Sequence, residues 1–205
     1  MIPPALPTFD LGDPVPGPKA SEEMRLRLAT RRSAPAQALT GPGPTRDEID
    51  EILFLAARSP DHGKLFPWRF VVLGPDSRAE LATALADVAV RQARPEKART
   101  ALGKLTAAPL TVLVVSAPVP STTVPHWEQQ LSAGAVCMNL EHAANAMGYA
   151  ASWITDWYSY DREALALFGV EEAEQVAGFI HIGHVAEPLL ERPRPDVAGK
   201  TTYRP

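Results

Sequence analysis

Cysteine is nearly absent from this chain. Cys137 is the single one among 205 residues, which excludes an internal disulfide framework and any zinc or iron–sulfur site built on several thiolates. Long apolar runs are also missing. No stretch approaches the roughly 18 consecutive apolar residues of a membrane helix, and the opening MIPPALPTFDLGDPVPGP has neither a basic n-region nor an unbroken apolar h-region. A cytoplasmic protein with no membrane partner is therefore expected. Positive charge is not in surplus: 20 Lys+Arg stand against 24 Asp+Glu, a net charge of −4. Without a basic face, no nucleic-acid partner is expected. The signatures GxxxxGK[ST], HExxH and GxSxG do not occur, and Gly41-Pro42-Gly43 has neither a preceding strand nor a third glycine, so nucleotide hydrolysis and serine hydrolase chemistry lose support. His181 and His184 lie three apart on a predicted strand and so face opposite ways; no metal site is expected.

What is present suits a folded domain with a core of its own, since 45% of residues are hydrophobic and 21% charged. Proline is concentrated at the ends, where Pro3, Pro4, Pro7, Pro14, Pro16 and Pro18 mark residues 1–20 as an N-terminal arm. Pro188, Pro193, Pro195 and Pro205 mark 188–205 as a C-terminal extension. The body, 21–187, alternates helix and strand signals. Ser21 opens a helix to about Thr30, and Thr45-Arg46-Asp47-Glu48 is a capping box for a second helix ending near Arg58. Phe70–Leu73 reads as a strand, Ser77 as the cap of a helix to Arg91, and Glu96–Thr106 as one short helix. Leu110–Ser116 reads as a strand covered on both faces. A long helix spans about Trp127–Met147, with Gly148 as its left-handed stop. It is apolar around most of its circumference, so burial on several sides, one of them by another subunit, is expected. Ala150–Ile154 and Val176–Val185 complete the strands, separated by a helix that Asp161 caps. The pattern predicts an α/β or α+β sandwich.

Two cationic clusters follow helix ends: Arg31-Arg32-Ser33, and Arg58-Ser59-Pro60-Asp61-His62. Two guanidiniums and a hydroxyl in three residues suit a phosphate, because arginine presents a planar fork to paired anionic oxygens. Either cluster alone could equally be last-turn charge complementing a helix dipole. Cys137, inside the apolar long helix, reads as a packed small hydrophobe. Phe66, Trp127 and Trp157 read as buried aromatic packing or as the walls of a pocket.

The continuation of the second cluster, Ser59-Pro60-Asp61-His62-Gly63-Lys64-Leu65-Phe66-Pro67-Trp68-Arg69-Phe70, resembles the loop-to-strand segment of the FMN-dependent nitroreductase family. Arg31-Arg32-Ser33 is similar to that family's N-terminal phosphate motif, Glu128–Leu140 to its long central helix, and Gly148–Thr155 to the strand after it. The resemblance runs from about Arg31 to Val185. It departs from the family's usual pattern at Pro35, Gly63, Lys64 and Phe66, and at the tail, where Lys200 and Arg204 are the only basic candidates for a phosphate contact.

The resemblance implies an α+β, three-layer α/β/α sandwich with a central, mainly antiparallel sheet, in a homodimer with FMN sites at the subunit interface. By matched position, Arg31, Arg32 and Ser33 would hold the FMN phosphate and ribityl tail, and Arg58 and His62 would reach the flavin bound by the partner. Trp153, Ile154 and Thr155 would line the isoalloxazine ring, and Ala143–Gly148 would meet the nicotinamide. The implied activity is an FMN-dependent oxidoreductase using NADH or NADPH to reduce a small aromatic acceptor, nitroaromatic or quinone-like, by a ping-pong route. The flavin carries that chemistry, so no catalytic side chain is nominated. The alternatives are a reductase or dehydrogenase dedicated to one metabolite, and a flavin-binding protein without turnover.

Overall fold

The computed structural model describes residues 6–204; the first five residues of the proline-rich arm and Pro205 lie outside this range. The chain divides at Arg32/Ser33 into two units. Among its described residues the first contains one helix, α1 (Glu22–Thr30), opened as expected by Ser21, whose Oγ accepts from the Met24 N–H at 3.1 Å. Glu22 and Glu23 occupy its first turn, where the dipole favours anions. Its apolar side chains, Met24, Leu26 and Leu28, are all exposed.

The second unit is built on a four-stranded sheet of β1 (Trp68–Leu73), β2 (Leu110–Ser116), β3 (Ala150–Ile154) and β4 (Gln175–Gly183), in the order β1-β2-β4-β3. Every neighbouring pair is antiparallel. β2 is buried at all seven positions, which accounts for its mainly apolar sequence, broken only by Thr111 and Ser116: Val112 and Val114 enter one core, Leu113 and Val115 the other. The first core is roofed by α2 (Arg46–Ala56) and α6 (His126–Ala146), through Ile52, Ala56, Val136, Leu140 and Ala144. The second is roofed by α3 (Pro75–Arg91), α5 (Gly103–Ala107) and α7 (Arg162–Leu167), through Leu85, Leu105, Leu165 and Phe168. These are the three layers of an α/β/α sandwich.

Local signals set most boundaries. Thr45 and Glu48 form the reciprocal capping box of α2, Asp161 caps α7, and Gly148 takes φ +88° one residue past the Met147 C-cap of α6. Three expectations need correction. Helix α3 begins at Pro75 with Gly74 as its cap, because proline's fixed φ and missing N–H suit the first helical position; Ser77 is inside the helix. The segment expected as one helix over 96–106 is α4 (Glu96–Thr100) followed by α5, with Ala101 and Leu102 turning between them. β4 stops at Gly183, and His184 instead makes an isolated bridge to Thr40.

The second core also holds a polar group with no counterpart in the sequence reading. Arg78 is 1% exposed, and its guanidinium donates to the carbonyls of Leu105 (3.0 Å), Ala108 and Pro109 (2.9 Å), while its Nε donates to Gly74 (3.2 Å). It thereby ties the start of α3 to the end of α5. Nearby, His181 on β4 is fully buried, its Nδ1 2.7 Å from Thr111 Oγ1 and its Nε2 without a partner. Burial, with the Arg78 charge adding to it, pushes the His181 imidazole down to about 4. His184 goes the other way, its ring 4.9 Å from that of Tyr149 in the first core.

Candidate functional site

The loop from Ser59 to Pro67 lies against α6 and is clasped along one stripe of that helix. Asn139 Nδ2 donates to Ser59 Oγ (2.9 Å), Ser132 Oγ donates to the Pro60 carbonyl (2.7 Å), and Glu128 Oε2 meets His62 Nδ1 at 2.6 Å. Positions 128, 132 and 139 recur at helical spacing, so one face of α6 makes all three contacts. Inside the loop, Asp61 Oδ2 accepts from the Phe66 N–H at 2.8 Å. The backbone there is unusual: Gly63, Lys64 and Phe66 have φ of +79°, +57° and +49°. Left-handed conformations at a lysine and a phenylalanine cost free energy and persist where surrounding contacts over-determine them, commonly at ligand sites. These are the three positions at which the sequence departs from the family's usual loop.

Arg58 and His62 stand exposed at this loop, and so do Phe66 and Trp127, at 63% and 66%. The expectation that those two aromatics are buried packing is therefore corrected. Leu131 is exposed as well, while Ala133, Val136, Cys137 and Leu140 of the same helix are buried. The chain thus covers most of α6 but leaves an apolar stripe open. Cys137 is buried, and burial pushes its thiol up to about 12, which makes it an inert packed residue.

A second group of expected residues gathers at β3. The Ala34 N–H donates to the Ala151 carbonyl at 3.0 Å, which places Ser33 beside this strand although about 120 positions separate the two segments in sequence. Arg31 and Arg32 precede it in the other unit. Trp153 and Ile154 close β3, and Thr155 follows, its hydroxyl accepting from Tyr160 Oη at 2.9 Å. The Trp153 backbone N–H donates to Glu141 Oε1 of α6 (3.1 Å). The Trp153 indole donates to the Ala177 carbonyl (3.0 Å) and lies directly over Gly178, where a Cβ would come within 2.0 Å of Nε1. Gly178 is thus the seat of Trp153. Replacing it with alanine should displace the indole and break its hydrogen bond, lowering stability by about 2 kcal/mol in urea titrations.

Beyond Thr155 the chain borders a cavity of about 560 Å³, lined by Gln37, Arg94, Lys97, Lys104, Asp156 and Trp157 among others. That volume lies within the range of small-molecule sites. Its walls are held by charge pairs: Lys104 Nζ meets Asp156 at 2.8 Å, and Arg94 meets Asp161 at 2.6 Å while its guanidinium stacks 4.4 Å over the half-buried Trp157 ring. Burial raises the Asp161 carboxyl, but the Ala164 N–H, Arg94 and Gln92 outweigh it and hold the group below its ordinary value. The sequence reading named Trp157 as a possible pocket wall but missed Arg94, Lys104 and Asp156, because their pairing depends on α3, α5 and the 156–159 turn converging. None of those pairs leaves a local spacing to read.

The structure therefore brings Ser33 to the strand bearing Trp153–Thr155, and sets Arg58 and His62 at the loop beside α6. Comparison with known proteins decides what this arrangement belongs to: the model of the nitroreductase family matches residues 28–184. The chain belongs to the nitroreductase family. It is 32% identical over 157 residues to "Putative NAD(P)H nitroreductase YdjA" of Escherichia coli, which covers 76% of this chain and 85% of that protein. Among solved structures, a nitroreductase-like family protein from Bacillus cereus superposes with a TM-score of 0.76 at 18% identity, over 92% of this chain and 99% of that one. A nitroreductase with bound FMN from Bacteroides fragilis does so with a TM-score of 0.69 at 23% identity, over 90% and 100%. These two likenesses establish the nitroreductase fold. Among the described residues, no helix of this nitroreductase-family chain is long and apolar enough to cross a membrane.

Proposed function

We propose that this chain is an FMN-dependent NAD(P)H oxidoreductase that reduces nitroaromatic or quinone-like acceptors, working as a homodimer with cofactor sites at the subunit interface. The observation that carries the reading is the Ala34–Ala151 hydrogen bond. It sets Ser33, the last residue of the Arg-Arg-Ser motif, beside the strand that ends in Trp153 and Ile154 and leads into Thr155, so that residues of both motifs are within reach of one ligand. The donor set fits the cofactor, since a phosphate with close to two negative charges on an acidic chain calls for clustered arginines. The FMN bound to the Bacteroides fragilis relative and the NAD(P)H in the name of the Escherichia coli relative support the same assignment.

On this reading Arg31, Arg32 and Ser33 bind the phosphate and ribityl tail, and Trp153, Ile154 and Thr155 flank the ring. Arg58 and His62 contact the cofactor held mainly by the partner. Bound FMN would supply the redox chemistry, taking a hydride from NADH or NADPH and passing it to the acceptor after the oxidised nicotinamide has left. The side chains bind, orient and exclude water. The 560 Å³ cavity beside Asp156 and Trp157 offers room for a planar group next to that ring segment. Dimerisation is supported by the exposed apolar residues Phe54, Phe66, Trp127 and Leu131 on the α2–α6 side and by the exposed apolar side chains of α1, a helix suited to lie across a partner. The described parts of the proline-rich arm, 6–20, and of the extension, 188–204, would then be segments laid over the dimer.

The purified protein should be yellow, bind FMN on titration and bleach with anaerobic NADH or NADPH. Arg31→Ala and Arg32→Ala should each weaken FMN binding about 10- to 100-fold, the loss expected for one charge-assisted hydrogen bond, with the unfolding midpoint of the flavin-free protein unchanged. No flavin spectrum and no binding on titration would refute the proposal.

A further inference from the structure

The His62–Glu128 pair has a geometry that the loop's anchoring does not require. Ser59 and Pro60 are already fixed by Asn139 and Ser132, and Asp61 closes the turn on Phe66. The pairing at 2.6 Å is nonetheless short, and it joins two side chains that both remain substantially exposed. An exposed polar pair of this kind adds little stability, so its effect is better sought in orientation. An imidazole turned over by rotation about its Cβ–Cγ bond puts Cδ2 where Nδ1 stood and Cε1 where Nε2 stood, and an unassisted histidine on an exposed loop samples both orientations. A carboxylate on the helix beneath selects the one with Nδ1 toward α6. Nδ1 then carries the proton it donates to Glu128 Oε2, and Nε2 is left pointing away from the helix as the functional edge.

We infer that Glu128 is the positioning residue for His62: it fixes the ring so that Nε2 is presented to the bound cofactor. This rests on the reading that His62 contacts FMN. The neighbouring left-handed residues Gly63, Lys64 and Phe66 fit a loop held in an otherwise unfavourable shape to keep that side chain in place. Carboxylates that orient metal-ligating histidines typically change metal affinity or activity about 10- to 100-fold when removed. Because His62 is exposed and its ligand is not a metal, an effect at or just below the low end of that range is expected here.

The test is a double-mutant cycle on FMN affinity, read by flavin fluorescence quenching on the full chain, with thermal melts of each flavin-free variant. His62→Ala should weaken FMN binding, Glu128→Ala should weaken it about 5- to 10-fold, and the double variant should bind no more weakly than His62→Ala alone. Glu128→Gln keeps an acceptor for Nδ1–H without the charge and should bind FMN within about 2-fold of the parent. It also serves as the informative variant if Glu128→Ala lowers the melting temperature. Additive losses in the double variant, or an unchanged affinity in Glu128→Ala when His62→Ala is impaired, would overturn the inference while leaving the His62 contact standing. If His62→Ala binds FMN normally, the assignment of His62 to the cofactor fails and the positioning role fails with it.

Discussion

Arg78→Met should lower the stability of the folded chain by about 4 kcal/mol and its melting temperature by about 10 °C. Methionine keeps an apolar stem like that of arginine and ends where the guanidinium begins, so the substitution tests the guanidinium itself. That group donates to three carbonyls at the end of α5 and to the N-cap carbonyl of α3. Once it is gone, Leu105 and Ala108, both buried, lose the donor that satisfies their carbonyls, and a buried acceptor left without its partner costs about 1–3 kcal/mol. Part of this is offset because the charge itself is expensive to bury: desolvation holds the Arg78 guanidinium below its ordinary value. Urea denaturation of the parent, Arg78→Met and Arg78→Lys should rank them in the order parent, lysine, methionine, since an ammonium lacks the planar fork needed to reach all the carbonyls. A methionine variant as stable as the parent would mean that water or other donors replace the guanidinium.

Acid should destabilise the protein well above the pH at which carboxylates protonate. His181 takes a proton near 6.5 when unfolded but only near 4 when folded, because a second positive charge beside Arg78 in a dry interior is unfavourable. The sign follows from linkage: between these values the unfolded chain binds more protons, so stability is fullest above pH 6.5 and declines as the pH falls to about 4. At about 1.4 kcal/mol per unit, the whole interval amounts to about 3 kcal/mol. Urea midpoints measured from pH 7.5 to 5, above the carboxylate range, should fall in the parent and stay level in His181→Gln, which keeps a polar group opposite Thr111. Equal slopes in the two proteins would show that His181 is protonated in the folded state as readily as in the unfolded one.

The parts of this fold that were legible are those fixed by residues a few positions apart. The Thr45–Glu48 capping box, the Asp161 cap, the Gly148 stop and the mainly apolar, fully buried β2 each carry their own instructions, and each forms as read. Ser77 misled because a serine followed three residues later by Glu80 imitates a cap, whereas Pro75 at the first helical position decides the start. The division between α4 and α5 falls just before Gly103, the poorest helix former of the segment, and it accompanies the burial of Leu102 and Leu105 in the second core. The candidate site was legible as motifs but not as geometry. Arg-Arg-Ser and Trp-Ile-Thr could be found by eye, but not the hydrogen bond from Ala34 that joins their segments. In the sequence Glu128 marks only the start of the segment resembling the family's central helix; it lies in the first turn of α6, and 66 positions separate it from His62. Pairs at that distance become visible only when the loop and the helix are folded together.

The segment that follows Arg-Arg-Ser also guards the sheet. β3 is an outer strand of only five residues, and an outer strand ordinarily offers its unpaired carbonyls and N–H groups to any extended chain that passes. Ala34 engages the Ala151 carbonyl, and Thr40 exchanges both of its backbone hydrogen bonds with His184 just past the end of β4. Proteolysis or strain that lifts residues 34–40 would therefore do more than disturb a binding motif: it would bare a ready template for strand pairing, and the first symptom would be self-association of otherwise folded molecules.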